Sequence, residues 1–441
     1  MTLSCRKSMD SYLAISTVAH WRYRLAGAVL AGIAIGAGSI GFTALAPIAS
    51  ALAQEQKGGG NTVRPEIGKP IQAALDLLKS KRGKDALARV HEADEVPSKT
   101  PYEAYLVERV RAQAAAAAGD AAAAARAFEA TAASPVISGG EKLQFLAGAA
   151  GQYYLAKNYG KAAELGARYL KDGGTDRSIR MLYVQALYLG NDFARAASEM
   201  LADVQAEEAA GKTPAEAQLQ LLTDSYQKQR DQKGYGNALE KLLTHYPKRD
   251  YWLNAIYSAA GRAGISDRLA LDLARLKLAT GTMQTATEYM EAAQLSLQAG
   301  YPADAKKFID QGYAAGRLGT GPETDRHRRL KDMAAKNLAE DAKTLGQDDA
   351  QLAAAKDGTP LLNAGFNHVL NGSSEKGLAM MEQGMRKGGL KHPDDGRLHL
   401  GYAYHVAGHN QKAIQVLKTV QGGDGPASLA RLWIIHLGRG S

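Results

Sequence analysis

Histidine is the side chain of this sequence best suited to metal or acid–base chemistry. Ten histidines are present, and five of them follow residue 390: His392, His399, His405, His409 and His436. The stretch His405-Val-Ala-Gly-His409 spaces two imidazoles four residues apart, as on one face of a metal-binding helix. A zinc-protease helix needs Glu where Val406 stands, and Gly408 is expected at a turn that carries His409 off that face. Because a closed metal site takes three or four ligands, we predict surface histidines and no metal site.

No other group of residues predicts catalysis. The stretch 36–41 (GAGSIG) has the form of a dinucleotide-binding fingerprint, but it lacks the preceding strand and the acidic residue about 20 positions later. The carboxylate pairs Asp394-Asp395 and Glu207-Glu208 are adjacent, and adjacent side chains on a helix point in different directions. The sequence contains no nucleophile elbow, phosphate-binding loop or kinase motif. We therefore expect a protein that is not an enzyme and carries no cofactor.

The charge distribution bears on possible partners of the chain, and the cysteine content bears on possible disulfide bonds. The 441 residues carry 54 Lys and Arg against 45 Asp and Glu, a formal charge of +9. The densest basic run, Arg326 to Lys331, has no stacking-aromatic motif beside it, so we assign it to a solvated helix face and predict no nucleic-acid partner. Cys5 is the only cysteine, which excludes an intrachain disulfide.

The first 53 residues have the pattern of a secretory signal peptide. A basic start precedes the uncharged, apolar residues 25–46, and Ala51-Leu-Ala53 is a small-x-small cleavage site. The apolar run is also close to the ~20 residues that a membrane-spanning helix needs. An inner-membrane anchor formed by residues 25–46 is therefore the alternative. Residues 54–66 are expected to form a flexible linker, and the predicted location is the periplasm.

A helical repeat extends over residues 67–437. Apolar residues recur every three to four positions, and Tyr159 and Phe193 are 34 residues apart. Small residues recur where a second helix would crowd a first, at Ala86, Ala124, Ala162, Ala196, Ala238, Ala270, Ala305, Gly377 and Ala413. The double-length step after Ala305 predicts a degenerate unit near 330–355. Thr100 and Thr213 each begin a Thr-Pro-x-Glu stretch that predicts a helix start.

This pattern resembles the tetratricopeptide repeat. The matching residues are Ala150, Tyr153, Tyr159 and Ala162; Phe193, Ala196 and Met200; and Gly401, Tyr404, Gly408, Ala413 and Leu417. The resemblance implies an all-α fold, an α-solenoid of about ten stacked helix pairs over residues 67–437, because a single pair cannot bury its apolar face. A C-terminal helix from about Ala427 is expected to cap the last pair and to bury Trp433. The layout also resembles that of uncharacterised secreted repeat proteins of alphaproteobacteria.

The resemblance also implies a mode of action. In proteins with this repeat the first helices line a concave groove that holds a peptide or a partner segment. The register carried onto this sequence gives the groove-facing residues Tyr154, Gln185, Tyr188, Gln227, Arg230, Arg262 and Gln294. Together with the signal peptide, this predicts a periplasmic scaffold or adaptor that binds other cell-envelope proteins, with no membrane contact beyond its N-terminal segment. The alternative is an accessory protein that binds or helps to export an envelope polysaccharide through a basic, tyrosine-rich groove.

Overall fold

The computed structural model describes residues 62–263 and 265–439, and the side chains of Arg262 and Ala263 are not described. Within these ranges every regular element is helical, with 21 α-helices and one short 3-10 turn. This confirms the predicted all-α class, a solenoid of stacked helix pairs of the tetratricopeptide type. No helix of the described ranges has both the length and the apolar character needed to span a bilayer. The predicted signal peptide (1–53), the alternative anchor (25–46) and most of the predicted linker lie outside the described residues.

Two compact units make up the chain. Unit 1 contains the described residues up to Ala210 together with Gln220–Gln229, and unit 2 contains Gly211–Leu219 and the residues from Arg230 onward. The first helices of the chain are α1 (Pro65–Lys79), α2 (Gly83–Asp94), α3 (Pro101–Ala118), α4 (Ala121–Ala132), α5 (Gly139–Leu155), α6 (Tyr159–Lys171), α7 (Arg177–Leu189) and α8 (Phe193–Ala209). The division between the units falls inside the next helix, α9 (Glu216–Lys228).

The remaining helices belong to unit 2. They are α10 (Gln232–His245), α11 (Arg249–Ala263), α12 (Ala270–Ala279), α13 (Ala286–Gln298), α14 (Pro302–Ala314), α15 (Thr324–Thr344), α16 (Asp349–Ala354), α17 (Thr359–Leu370), α18 (Ser374–Lys387), α19 (Pro393–Val406), α20 (Asn410–Leu417) and α21 (Pro426–Leu437). The long α15 and the short α16 occupy the region where the sequence predicts a degenerate unit.

The turn between the two helices has the same form in eight helix pairs. A residue with a left-handed backbone follows the first helix, and the next residue is the N-cap of the second. These left-handed residues are Lys81, Gly119, Lys157, Asn191, Arg230, Gly300, Gly372 and Gly408. In four turns the cap is an Asp or Asn whose side chain accepts from a backbone N–H of the first turn, namely Asp120, Asn158, Asp192 and Asp231. The caps satisfy helix-end donors that would otherwise lack partners.

Small residues allow the two helices of a pair to approach closely. Of the nine small residues that mark the repeat, eight are buried on second helices, and only Ala270, the first residue of α12, is half-buried. The closest approach joins α17 and α18. A Cβ placed on Gly365 would lie 2.6 Å from the carbonyl oxygen of Gly377, and one on Gly358 would lie 1.8 Å from that of Gly384. Glycine is therefore required sterically at this contact.

One predicted helix start is confirmed and one is wrong. Thr100 and Glu103 form a complete capping box at the start of α3. The second, at Thr213, does not form, because α9 begins only at Glu216. The Glu216 carboxylate is instead bonded by Lys248 and by the Tyr251 hydroxyl, at 2.5 Å each. Lys248 and Tyr251 therefore bind the carboxylate that the sequence predicts as part of a helix cap.

The start of the folded region is anchored by a buried carboxylate. Helix α1 begins at Pro65, two residues before the predicted Ile67. Arg64 donates to Glu103 from its backbone N–H at 2.9 Å and from its guanidinium at 2.9 and 3.0 Å. These bonds from Arg64, opposed by burial and helped by the amide of Thr100, lower the pKa of Glu103 to about 2. The capping box of α3 therefore also holds α1 in place.

Candidate functional site

The left-handed turn residues provide a register for comparing helices. Counting back ten, six and three residues from them defines one face of α3, α5, α7 and α9, which we name the first-helix face of unit 1. It consists of Arg109, Gln113 and Ala116; Ala147, Gly151 and Tyr154; Met181, Gln185 and Tyr188; and Gln220, Asp224 and Gln227. Residues at these spacings share one side of a helix.

This face points away from the second helices. On α7, Tyr183 donates its hydroxyl to Glu199 of α8 at 3.0 Å, and its Cβ lies against Gly166 of α6. Gln185 is two residues further on, about 200° around the helix at 3.6 residues per turn. Gln185 therefore lies on the side of α7 away from these contacts, whereas Tyr154 and Tyr188, nearer the turns, also touch the rings of Tyr159 and Phe193 at the starts of α6 and α8.

Tyrosine hydroxyls connect successive first helices along the face. Tyr154 donates to the amide oxygen of Gln185 at 3.3 Å, and Tyr188 donates to Asp224. Burial raises the pKa of both phenols, and the Asp224 carboxylate raises that of Tyr188 further. Both hydroxyls are therefore protonated donors at neutral pH.

A similar bridge lies at the α3 end of the face. Arg109 and the Tyr105 hydroxyl both donate to Glu141 at the start of α5, at 2.7 and 2.8 Å. Burial raises the pKa of Tyr105 to about 12. The guanidinium of Arg109 also lies 5.7 Å from the ring centre of Phe145. Charged and aromatic groups thus stiffen this end of the row.

Between these bridges the surface is open. A Cβ built on Gly151 would meet no other atom within 4 Å. Ala116 and Ala147 beside it are small and half-buried, and Met181 is 38% exposed. The face therefore combines short side chains with a flexible apolar contact and a row of polar groups.

The seven residues predicted to line a groove do not all lie on one face. Tyr154, Gln185, Tyr188 and Gln227 all lie on the first-helix face of unit 1, where Gln185 is only 7% exposed and Gln227 is exposed. Arg230 is exposed, but it is the left-handed turn residue between α9 and α10 and lies off the face.

The last two predicted residues belong to unit 2. The side chain of Arg262 lies outside the described residues. Gln294 of α13 lies six residues before Gly300, which is the register position of Gln185. Sequence reasoning missed Arg109, Glu141 and Asp224. Counting from the turn residues finds Arg109 and Asp224 once the left-handed positions are known.

On helices α17 and α19 of unit 2 the register position of Gln185 is filled by a ring, whereas on α13 it is Gln294. Phe366 on α17 and Tyr402 on α19, each six residues before its turn glycine, are 1% and 5% exposed. They enclose the guanidinium of Arg275, whose central carbon lies 4.8 Å from the Phe366 ring centre and 5.3 Å from that of Tyr402. Arg275 donates to Asp272 and to Asp304, at 2.8 Å each. A buried guanidinium needs such partners to offset its lost hydration.

His399 joins this buried cluster from α19. Its Nε2 lies 3.1 Å from Asp272, and its ring stacks on Phe366 at 5.4 Å and 12°. Burial alone would raise the pKa of Asp272, but His399 and Arg275 more than offset it and hold the pKa below its usual range. The cluster joins residues far apart in the chain into one polar core.

The C-terminal histidines do not assemble as their spacing suggests. Gly408 ends α19 with a left-handed backbone, and His409 is the exposed N-cap of α20. His399, His405 and His436 are half-buried, so the prediction of surface histidines is wrong for them. The described residues hold no cluster of three or more His, Cys, Asp or Glu side chains arranged to bind a metal.

The basic run 326–331 also differs from its prediction at one residue. Its arginines and Lys331 are exposed, as expected of a solvated helix face. His327 is 4% exposed, and its Nδ1 accepts a hydrogen bond from the backbone N–H of Gly319 at 3.2 Å. This histidine holds the loop before α15 against the helix.

No protein-family model matches the chain, and no curated protein matches it. Similar solved structures include Naa15/Naa10 bound to HypK-THB, at 14% identity and a TM-score of 0.25, with 82% of this chain and 59% of that chain covered. The chain thus spans less than two thirds of that structure's length.

Two further structures are similar over more of their own length. Yeast Tom70 matches at 10% identity and a TM-score of 0.22, covering 84% of this chain and 96% of that chain. The APC/C hetero-tetramer Cut9-Hcn1 matches at 10% identity and a TM-score of 0.18, with the same two coverages of 84% and 96%. At TM-scores this low the likeness carries no inference about function.

Proposed function

We propose that this chain is a protein-binding scaffold whose first-helix face in unit 1 holds a segment of a partner protein. The supporting observation is the row of tyrosine, glutamine and carboxylate groups that runs over four successive first helices beside the open position at Gly151. Tyrosines held by intramolecular bonds offer contact area at little further entropic cost. Binding, with no catalytic step, is the activity that this arrangement supports.

The chemistry of the face favours a polypeptide over an anionic glycan. Gln113 and Gln227 carry amides that can both donate to and accept from an extended backbone. The twelve residues of the face include one basic group, Arg109, and one acidic group, Asp224, and Glu141 at the start of α5 accepts from Arg109. A polyanion would therefore meet no surplus of positive charge on this surface.

Site-specific photo-crosslinking tests this proposal. A photo-reactive amino acid at Met181 is expected to capture a discrete partner protein in intact cells. The matched control is the same group at Glu164 of α6, which is 63% exposed and lies off the face. Tyr188→Ala should then weaken binding of the captured protein at least about tenfold, as expected for an interfacial tyrosine. Equal capture at both positions, or unchanged affinity in Tyr188→Ala, would reject the proposal.

The cell envelope is the proposed location, and its support is the apolar segment 25–46 followed by the Ala51-Leu-Ala53 site. Secretion and cleavage predict a mature protein beginning at Gln54. Mass determination of the N-terminal peptide after cell fractionation checks both points. An intact N-terminus in the cytosolic fraction would contradict the location and leave the face proposal standing.

A further inference from the structure

Helix α21 closes unit 2 by joining its first and last helices. It packs on α19 and α20, as a C-terminal cap should, and Trp433 is 2% exposed as predicted. The same helix also contacts α10, α11 and α12. Arg431 of α21 donates to Glu240 of α10 at 3.1 Å. Helix α21 at the end of unit 2 therefore packs against helices at the start of the unit.

Ion pairs beside α21 support this closure. Arg268, just before α12, pairs with Asp395 of α19 and with Asp424 of the loop before α21, at 2.6 Å each. The backbone N–H of Ser266 donates to the carbonyl of Asp424 at 3.2 Å. These contacts hold the approach to α21 in place, whereas the buried residues of α21 itself are apolar or aromatic and its ion pair with α10 is the one between Arg431 and Glu240.

Two histidines meet inside this packing. The rings of His405 on α19 and His436 on α21 lie 6.3 Å apart, edge to face. Trp433 lies 5.5 Å from His405 and 5.6 Å from His436, and Trp252 of α11 lies 5.9 Å from His436. The Nδ1 atom of His436 is buried and has no hydrogen-bond partner. Two imidazoles thus share a largely aromatic setting.

Within the part of the chain that the structure describes, the charged groups that act on His436 include no carboxylate. His405 bonds through Nδ1 to the side-chain oxygen of Asn410 at 2.9 Å, a neutral amide. The charged groups acting on His436 are His405 and Arg439, and both oppose a positive charge. On the elements packed against α21 the acids have other partners: Glu240 pairs with Arg431, Asp395 with Arg268, and Asp272 with Arg275 and His399.

We propose that α21 is an acid-sensitive closing helix, released from α10, α11 and α12 when His405 and His436 become protonated. Two imidazolium ions at this separation repel each other without a counter-ion, in a site of few polar groups. Release relieves the repulsion because both rings then reach water. The closed arrangement is therefore the neutral-pH form.

The direction of the pH effect follows from linkage. Burial lowers the pKa of His436, and His405 and Arg439 lower it further. The released form therefore binds protons more readily than the closed form. Stability from closure is complete above the ordinary histidine pKa and is lost as pH falls through the lowered value.

Hydrogen exchange of the amides of α21 tests the proposal on the full chain. After correction for the intrinsic rate, protection between pH 7.5 and pH 5.5 is expected to fall by up to about tenfold per pH unit for each proton taken up. Far-UV circular dichroism should stay almost constant, because the other helices remain folded. The variants His436→Gln and His405→Gln should each remove most of this pH dependence, and the exposed control His409→Gln should keep it.

Two outcomes would overturn the proposal. One is equal protection of α21 at both pH values in the unmodified chain. The other is an unchanged pH dependence in both His436→Gln and His405→Gln. If one variant fails to fold, the other variant still tests the proposal, because the proposal requires both imidazoles. Neither outcome depends on whether the first-helix face of unit 1 binds a partner.

Discussion

The same register position differs between helices α3 to α9 of unit 1 and helices α17 and α19 of unit 2. Six residues before the turn, the unit 1 helices carry Gln113, Gly151, Gln185 and Asp224, which are small or polar, and a Cβ on Gly151 would meet open space. Helices α17 and α19 carry Phe366 and Tyr402 there, and both are buried around Arg275. One repeat architecture thus gives a polar row on some first helices and an aromatic core on others. The side chain placed at a repeat position, rather than the repeat itself, decides which of the two forms.

Loss of a ring from the filled position should have the largest effect. Phe366→Ala removes a side chain that is 1% exposed and is expected to lower the free energy of unfolding of unit 2 by about 3–5 kcal/mol. Gln113→Ala, at the equivalent position in unit 1, should change it by at most about 0.5 kcal/mol. Urea-induced unfolding measures both. Similar costs for the two variants would remove the contrast between the units.

The next largest effect among these variants should come from the loss of a buried carboxylate in unit 1. Glu103→Gln weakens the bonds from Arg64 and Thr100 and is expected to lower the free energy of unfolding by about 1.5–3 kcal/mol at pH 7. The folded pKa of about 2 lies below the ordinary 4.5. The contribution of Glu103 is therefore complete above pH 4.5 and is lost as pH falls toward 2.

The acid dependence of unfolding checks this expectation. Glu103→Gln should flatten the decline in stability between about pH 4.5 and pH 2. Glu95→Gln is the control, because the Glu95 side chain is 74% exposed. If Glu95→Gln flattened the decline as strongly, the buried carboxylate would not be its source.

A smaller effect is expected for a single hydroxyl on the face. Tyr188→Phe removes the bond to Asp224 and should cost about 1 kcal/mol of unfolding free energy. Its ring contact with Phe193, at 5.4 Å between centres, should persist. Tyr159→Phe is the control, because the contact of Tyr159 with Tyr154 is made between the two rings and should survive loss of the hydroxyl. Thermal unfolding of both variants measures the difference. Equal stability of the two variants would show that the hydroxyl bonds do not stabilise the first-helix face.

The smallest effect should be a gain in stability. Gly151→Ala places a methyl group in open space within α5 and is expected to stabilise by about 0.5–1 kcal/mol. Gly148→Ala, one turn earlier, should give no gain, because its Cβ would lie 2.9 Å from the Phe128 ring. The two melting temperatures measure this contrast. Destabilisation by Gly151→Ala would show that the open position on the face is filled in solution.

The repeat could be predicted from the sequence because it depends on contacts between helices that are neighbours in the chain. The step from Tyr159 to Phe193 and the spacing of small residues depend on neighbouring helices. They predict helix pairs, buried small positions and the burial of Trp433. The placement of Tyr154, Gln185, Tyr188 and Gln227 on one face follows from the same period.

Features that depend on distant contacts were not predictable. Arg268 meets Asp395, and Asp272 meets His399, across 127 residues of chain each, and no periodic pattern records such pairs. Thr213 failed as a cap for the same reason, because partners more than 30 residues away hold Glu216. The turn at Gly408 that separates His409 from His405 was predicted, whereas the contact between His405 and His436 was not.

Hydroxyl-radical footprinting of the intact chain, with and without the protein captured at position 181, tests the central claim most directly. Without partner, Tyr154 and Tyr188 should react measurably and Tyr402 should be protected, because the first two are half-buried and the last is 5% exposed. With partner, Tyr154 and Tyr188 should become protected while Tyr402 is unchanged. Reaction of Tyr402 as fast as that of Tyr188, or partner protection that spares Tyr154 and Tyr188, would contradict the account.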